Sequence, residues 1–79
     1  LEQYYENLIR LSMELENFKM GDNLIKDNKL DTVRYHDVAG DFYKHFQENE
    51  IAIYHYGQAM SFDIDDSQKN LIKLKKPIN

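Results

Sequence analysis

Hydrophobic residues along this chain recur at steps of three and four, which is the period of an amphipathic α-helix. Residues suited to helix caps and turns divide the pattern into five segments. The sequence therefore predicts an all-α fold of antiparallel helices in one domain, residues 1–79. The predicted helices span residues 3–17, 22–29, 32–47, 50–62 and 67–76.

The first and last of these helices have distinct faces. The apolar side of the first helix comprises Tyr4, Tyr5, Leu8, Leu11, Ser12 and Leu15. The predicted N-caps of the later helices are Asp22, Asp31, Asn49 and either Asp65 or Asp66. The last helix collects Lys69, Lys73, Lys75 and Lys76. We interpret these lysines as a solvated helix end that suits the helix dipole, the alternative being a basic patch for an acidic partner or a membrane surface.

The segment from Arg34 to Met60 predicts a tightly packed helical hairpin. Its aromatic residues share one face of each helix, and the polar run 47–50 between them indicates a turn. Gly40 lies mid-helix, where glycine costs roughly 1 kcal/mol relative to alanine. Because that cost indicates a use for the missing side chain, we expect a close helix contact at Gly40.

The spacing of Gly40, Tyr43, Ala52, Tyr56 and Ala59 resembles the tetratricopeptide repeat over residues 33–66. The resemblance implies a right-handed array of helical hairpins that binds proteins or peptides. An ordinary antiparallel hairpin with a tight crossing is the alternative. About three repeats are needed to bury a continuous core. One clear repeat therefore needs flanking helices, self-association or a longer parent chain, and a start at Leu1 fits a fragment of a larger regulator. Whether residues 1–30 belong to the same array stays open.

The resemblance also implies a binding groove, because the first helix of each tetratricopeptide repeat lines the concave surface. The corresponding outward stripe here is Arg34, Asp37, Asp41, Lys44 and His45. Asp37 and Asp41 take places where relatives that hold a peptide carboxylate carry Lys, Arg or Asn. Two carboxylates repel an acidic terminus, so we expect a basic or neutral partner. A solvated charged face without a ligand is the alternative.

Composition narrows the classes of function. A formal net charge of −4 disfavours a general nucleic-acid binder. No run approaches the roughly 20 apolar residues that cross a bilayer, so no membrane partner is expected. The chain contains no cysteine, and a cytoplasmic location is expected.

Catalytic and metal sites have weak support in the sequence. His36, His45 and His55 do not stand at three- or four-residue steps on a common helix, so no metal or cofactor is expected. A minor hypothesis is a metal enzyme using His36 with Asp37. The main hypothesis is a non-catalytic protein or peptide interaction module, not an enzyme. Its alternative is a helical bundle that forms a homodimer through the aromatic hairpin, with Tyr43 and Ala52 in the interface.

Overall fold

A computed structural model describes residues 1–78 of the chain, and Asn79, the last position of the predicted domain, lies outside the described residues. Five α-helices and no strands occur within residues 1–78, which confirms the all-α prediction. The helices are α1 (Glu2–Glu14), α2 (Phe18–Asp27), α3 (Val33–His45), α4 (Asn49–Met60) and α5 (Asp66–Lys75). Together they form a slab of 32 × 30 × 17 Å.

Side chains that accept backbone hydrogen bonds begin three of the helices. Asn17, Thr32 and Asp65 each accept a hydrogen bond from the amide three residues further on. Asp65 is one of the two residues predicted to cap α5, so that prediction is confirmed. The predictions that Asp22 and Asp31 cap helices are wrong. Asn49 was also wrong as a cap, because it is the first residue of α4 and the residue before it makes no side-chain cap bond.

The N-cap prediction at Asp22 is wrong because this residue contacts another helix. Asp22 lies within the helix, where its carboxylate accepts a hydrogen bond from the Tyr43 hydroxyl at 2.6 Å and pairs with Lys26 at 3.0 Å. Gly21 is buried inside α2. A Cβ there would lie 2.1 Å from the Phe42 ring, so its place is fixed by a contact from α3.

Two tight turns of the same type join α1 to α2 and α3 to α4. Glu16 and Gln47 adopt positive φ values of 53° and 63°. In each turn the next amide donates to a carbonyl five residues back, at 2.9 Å and 2.8 Å respectively. This is the hydrogen bond of a Schellman helix end. The chain is therefore folded into two successive helical hairpins, of which α1–α2 is the first, followed by α5.

The buried side of α1 differs from the predicted one. Ile9 and Ser12 are fully buried, whereas Tyr4, Leu11 and Leu15 are exposed. The Ser12 hydroxyl is satisfied because it donates to the carbonyl of residue 8 at 2.9 Å. Three of the six residues of the predicted apolar stripe therefore face away from the core.

The core is centred on the α3–α4 hairpin, as its spacing predicted. Its buried hydrophobic residues are Ile9, Ile25, Tyr35, Val38, Ala39, Phe42, Tyr43, Ala52, Tyr56, Ala59 and Ile72. The expected close contact at Gly40 is made by a ring: a Cβ at Gly40 would lie 2.5 Å from Cε1 of Tyr56. Glycine thus lets the Tyr56 ring lie against the α3 backbone, which draws α3 and α4 together.

Candidate functional site

The structure distributes the five predicted groove residues between two neighbours of α3. Arg34 donates from Nε to Glu6 and from Nη2 to Gln3, both on α1. His45 Nε2 lies 2.8 Å from Glu16 Oε1, in the turn after α1. These two members of the stripe therefore join α3 to the first hairpin. They are already engaged by side chains of this chain.

The two aspartates of the stripe face the opposite way, toward α5. Lys75 Nζ lies 2.6 Å from Asp37 Oδ1 and 3.0 Å from Asp41 Oδ1. Asp37 Oδ1 is buried, and the Lys75 ammonium at this short distance compensates its charge. A single lysine thus bridges two carboxylates one helical turn apart.

A tyrosine completes this cluster from α4. The Tyr56 hydroxyl donates to Asp41 Oδ1 at 2.6 Å, and Lys75 Nζ lies 5.7 Å from the centre of the Tyr56 ring. Burial raises the pKa of Tyr56, and the Asp41 carboxylate raises it further. Burial by itself would lower the pKa of Lys75, but the hydrogen bonds and negative charges of Asp37 and Asp41 leave it above its usual value. The cluster therefore holds a charged ammonium and a neutral phenol.

An open cleft of about 540 Å³ separates α3 from α5. Its lining residues are Val33, Asp37, Lys44, Gln68, Leu71, Ile72, Leu74 and Lys75. Ile72 is buried beneath α5, whereas Leu71 and Leu74 remain exposed at the edge. Lys44 is the one predicted stripe residue, besides Asp37, that lines this cleft. The cleft combines an apolar edge with a charged floor held in place by the Lys75 cluster.

A second cleft, of about 410 Å³, lies between α1 and α2. Its lining residues are Tyr5, Leu8, Met20, Asn23, Leu24, Asp27 and Asn28. It is bordered by the exposed apolar side of α1. The two clefts share no lining residue.

The histidines form a buried contact that the sequence did not predict. His36 Nδ1 lies 3.0 Å from His55 Nδ1, and His36 Nε2 lies 2.7 Å from Asp31 Oδ1. The His55 ring also stacks on Tyr43, with centroids 5.6 Å apart and planes at 4°. Burial, with a further contribution from the nearby His36, lowers the pKa of His55 to about 4. His55 is therefore neutral near pH 7, and the facing nitrogens require one ring to donate and the other to accept.

The proposed pairing of His36 with Asp37 is not formed. His36 faces Asp31 and His55, whereas Asp37 faces Lys75. Among residues 1–78, no group of three His, Asp or Glu side chains is placed to hold a metal ion. His36 and Asp37 therefore do not converge on a common position.

The interface proposed for the homodimer is also occupied within one chain. Tyr43 is 1% exposed and Ala52 is fully buried, because both pack inside the α3–α4 hairpin. Neither can reach a second copy while the chain is folded. Self-association of the folded chain would therefore need a different surface.

Sequence reasoning missed Lys75 and the leucines of α5 as members of a site. The four C-terminal lysines were interpreted as one solvated group, yet Lys75 turns inward to Asp37 and Asp41. The available signal was the spacing of Lys75 from Leu71 and Ile72, which places these residues on adjoining sides of one helix. Nothing local to α5 indicates that its partners lie on α3.

Comparison with protein-family models, curated proteins and solved structures found no match to this chain. Within residues 1–78, none of the helices combines the length and the apolar character that crossing a bilayer requires.

Proposed function

We propose that this chain is a non-catalytic, tetratricopeptide-like interaction module that binds a protein or peptide segment in the cleft between α3 and α5. The observation that carries the proposal is the composition of this cleft. Exposed Leu71 and Leu74 lie beside charged groups that are already fixed by the Lys75 cluster. Apolar anchors beside a few fixed polar groups are typical of surfaces that recognise peptides.

Contacts in the hairpins support the tetratricopeptide resemblance. The Tyr56 ring lies against Gly40, and Ala52 and Ala59 are fully buried in the core. The turn at Glu16 repeats the turn at Gln47, so α1–α2 is closed in the same way as α3–α4. We propose that α1–α2 is a divergent hairpin of the same kind.

The ion pairs refine the expected chemistry of the partner. Asp37 and Asp41 share Lys75, and Lys44 on the cleft wall supplies a second cation. The charges of these four side chains cancel. A basic partner, expected from the two aspartates alone, is therefore less favoured. We therefore propose a neutral amphipathic helix whose apolar side covers Leu71 and Leu74. We also propose a cytoplasmic location, which suits a sequence without cysteine.

Binding of designed peptides tests this proposal. The probes are amphipathic helical peptides of about 15 residues, with one leucine face and with flanking positions that are all Gln, all Lys or all Glu. Fluorescence anisotropy measures affinity, and amide chemical shifts of labelled protein locate the site. We expect the Gln peptide to bind most tightly and to shift Val33, Lys44 and Leu71.

Two matched variants separate the cleft from the rest of the surface. Leu71→Asp places a charge at the cleft edge and should weaken binding at least about tenfold, equivalent to about 1.4 kcal/mol. Tyr54→Asp makes the same type of change at an exposed α4 residue outside both clefts and should have no effect. Shifts confined to the α1–α2 cleft, or equal affinity for both variants, would refute the proposed site.

A further inference from the structure

The cleft between α3 and α5 contains charges of both signs, and one of its charged side chains is unpaired within residues 1–78. The charged residues that line it are Asp37, Lys44 and Lys75. Lys75 is held by Asp37 at 2.6 Å and by Asp41 at 3.0 Å. Lys44 is exposed and makes no ion pair with any residue from 1 to 78. Its ammonium group is therefore the cleft charge that is available to a ligand.

Every other residue of the predicted stripe on α3 already has a partner. Arg34 and His45 contact acidic side chains of the first hairpin, and the two aspartates hold Lys75. Lys44 lies in the last turn of α3. A peptide that covers Lys44 removes water from an unpaired ammonium group, which costs free energy unless the peptide supplies a carboxylate. A ligand of this cleft therefore gains from one acidic side chain.

The charges of the cleft lie at different positions along its length. Asp37 and Lys44 are seven residues apart on α3, so they lie on one side of the helix, about 10 Å apart along its axis. Asp37 and Asp41 outnumber Lys75 by one charge, so the Asp37 end keeps a net negative charge. A carboxylate of a ligand is therefore favoured over Lys44 and disfavoured over Asp37.

We propose that Lys44 is a specificity-determining residue of the α3–α5 cleft, where it pairs with a carboxylate at one end of the apolar side of a bound helix. This inference rests on the proposed function, because it adds one acidic residue to the ligand of the same cleft. The apolar side of the ligand covers Leu71 and Leu74, and its carboxylate lies over the last turn of α3. The partner is then a leucine-faced helix with an acidic side chain at one end and uncharged side chains over Asp37.

Single substitutions in the leucine-faced Gln peptide test this role by fluorescence anisotropy. One probe carries Glu at a flanking position near its amino end, and the other carries Glu near its carboxyl end. We expect one of the two to bind about threefold more tightly than the Gln peptide, as for an exposed ion pair, and the other to bind no more tightly. Lys44→Gln should abolish the gain, and Lys44→Glu should instead favour Lys at the same peptide position. Lys73→Gln, a matched change at an exposed α5 lysine outside the cleft, should retain the gain.

The outcomes distinguish the role of Lys44 from the function on which it depends. If neither the Gln peptide nor a Glu peptide binds the cleft, the proposed function fails and the role of Lys44 fails with it. If the Gln peptide binds but Glu improves affinity at neither end, or equally at both, the role of Lys44 is overturned while the proposed function stands. A gain that persists in Lys44→Gln also overturns it, because the carboxylate then pairs with another group.

Discussion

The contact between Gly40 and Tyr56 gives the sharpest prediction about the fold. A Cβ added at Gly40 would lie 2.5 Å, 2.6 Å and 2.9 Å from three carbons of the Tyr56 ring. Carbon atoms in favourable contact are about 3.5 to 4.0 Å apart, so the ring would have to move by about 1 Å. The ring is fully buried and its hydroxyl is held by Asp41, so it has little room to move. Gly40→Ala should therefore destabilise the chain.

The magnitude follows from two opposing effects. Inserting a methyl group into a well-packed core costs about 1 to 3 kcal/mol, and the fixed ring puts this site at the upper end. Alanine in place of glycine stabilises a helix interior by about 1 kcal/mol. We expect Gly40→Ala to lower the free energy of unfolding by about 2 kcal/mol, which is a large part of the stability of so small a domain.

Gly57 provides a matched control on the partner helix. A Cβ at Gly57 has no neighbouring atom within 4 Å. Gly57→Ala should therefore show the helix propensity effect alone and stabilise the chain by up to about 1 kcal/mol. The same substitution in the two helices of one hairpin is therefore expected to change the free energy of unfolding in opposite directions.

Urea unfolding followed by far-ultraviolet circular dichroism measures both effects. With a slope of about 1 kcal/mol per molar urea, the loss at Gly40 corresponds to a midpoint lower by about 2 M. In a Tyr56→Leu background the penalty of Gly40→Ala should largely disappear, because the rigid ring is gone. The reasoning is refuted if Gly40→Ala matches the unmodified chain or if Gly57→Ala is the less stable variant.

Three further predictions concern the polar contacts. Since the pKa of His55 is about 4 in the folded chain and about 6.5 when unfolded, the unfolded state binds more protons between these values. The free energy of unfolding should fall between pH 6.5 and pH 4 by up to about 3 kcal/mol. Urea titrations at each pH should show a smaller fall in His55→Gln than in the unmodified chain, and an unchanged fall in His45→Gln. Equal falls in the unmodified chain and both variants would contradict this prediction. Lys75→Met should lower the free energy of unfolding by up to about 1 kcal/mol and speed amide hydrogen exchange in α5, because the helix loses its ion pairs to α3. Lys73→Met should change neither quantity. Equal exchange rates in the two variants would contradict the role of the Lys75 cluster. Tyr43→Phe removes a hydrogen bond to a largely buried carboxylate and should lower the free energy of unfolding by about 2 kcal/mol, as measured by thermal unfolding. A melting temperature equal to that of a Tyr→Phe variant at an exposed tyrosine would contradict this prediction.

The fold class and the core hairpin could be predicted because their signals are local. The spacing of Gly40, Ala52 and Tyr56 within two helices separated by a short polar turn specifies which sides meet. Such residues find their partners within one hairpin, so sequence distance is a fair guide to spatial distance. The structure places Ala52 and Tyr56 in the core and the ring of Tyr56 against Gly40.

The start of α2 and the buried side of α1 could not be predicted in the same way. Gly21 is compatible with a helix interior because the Phe42 ring occupies the space beside it, and Phe42 belongs to a distant part of the chain. On α1, the predicted stripe of six residues competes with a side centred on Ile9. Tertiary packing chose Ile9, which the periodicity of α1 alone does not reveal.

The candidate site, like the fold, could be predicted only in part. Arg34, Lys44 and His45 are exposed, whereas Asp37 and Asp41 are partly covered. Neighbours on α1 and α5 decide the roles of these five residues. Arg34 reaches Glu6 while Asp41 reaches Lys75, and neither pairing follows from a short sequence motif. Charges on the surface of a helix can pair with whichever helix packs alongside, so a sequence stripe identifies candidates without identifying their partners.

The two aromatic rings that lie over glycines also determine how this molecule can move. Phe42 of α3 fills the space beside Gly21 of α2, and Tyr56 of α4 fills the space beside Gly40 of α3. If any of these helices slid by one residue, a Cβ would enter the volume of a ring, so α2, α3 and α4 have a fixed register. The first and last helices lie outside this interlocked centre. What ties α5 to it is the Lys75 cluster, whose ion pairs to Asp37 and Asp41 can break without moving either ring.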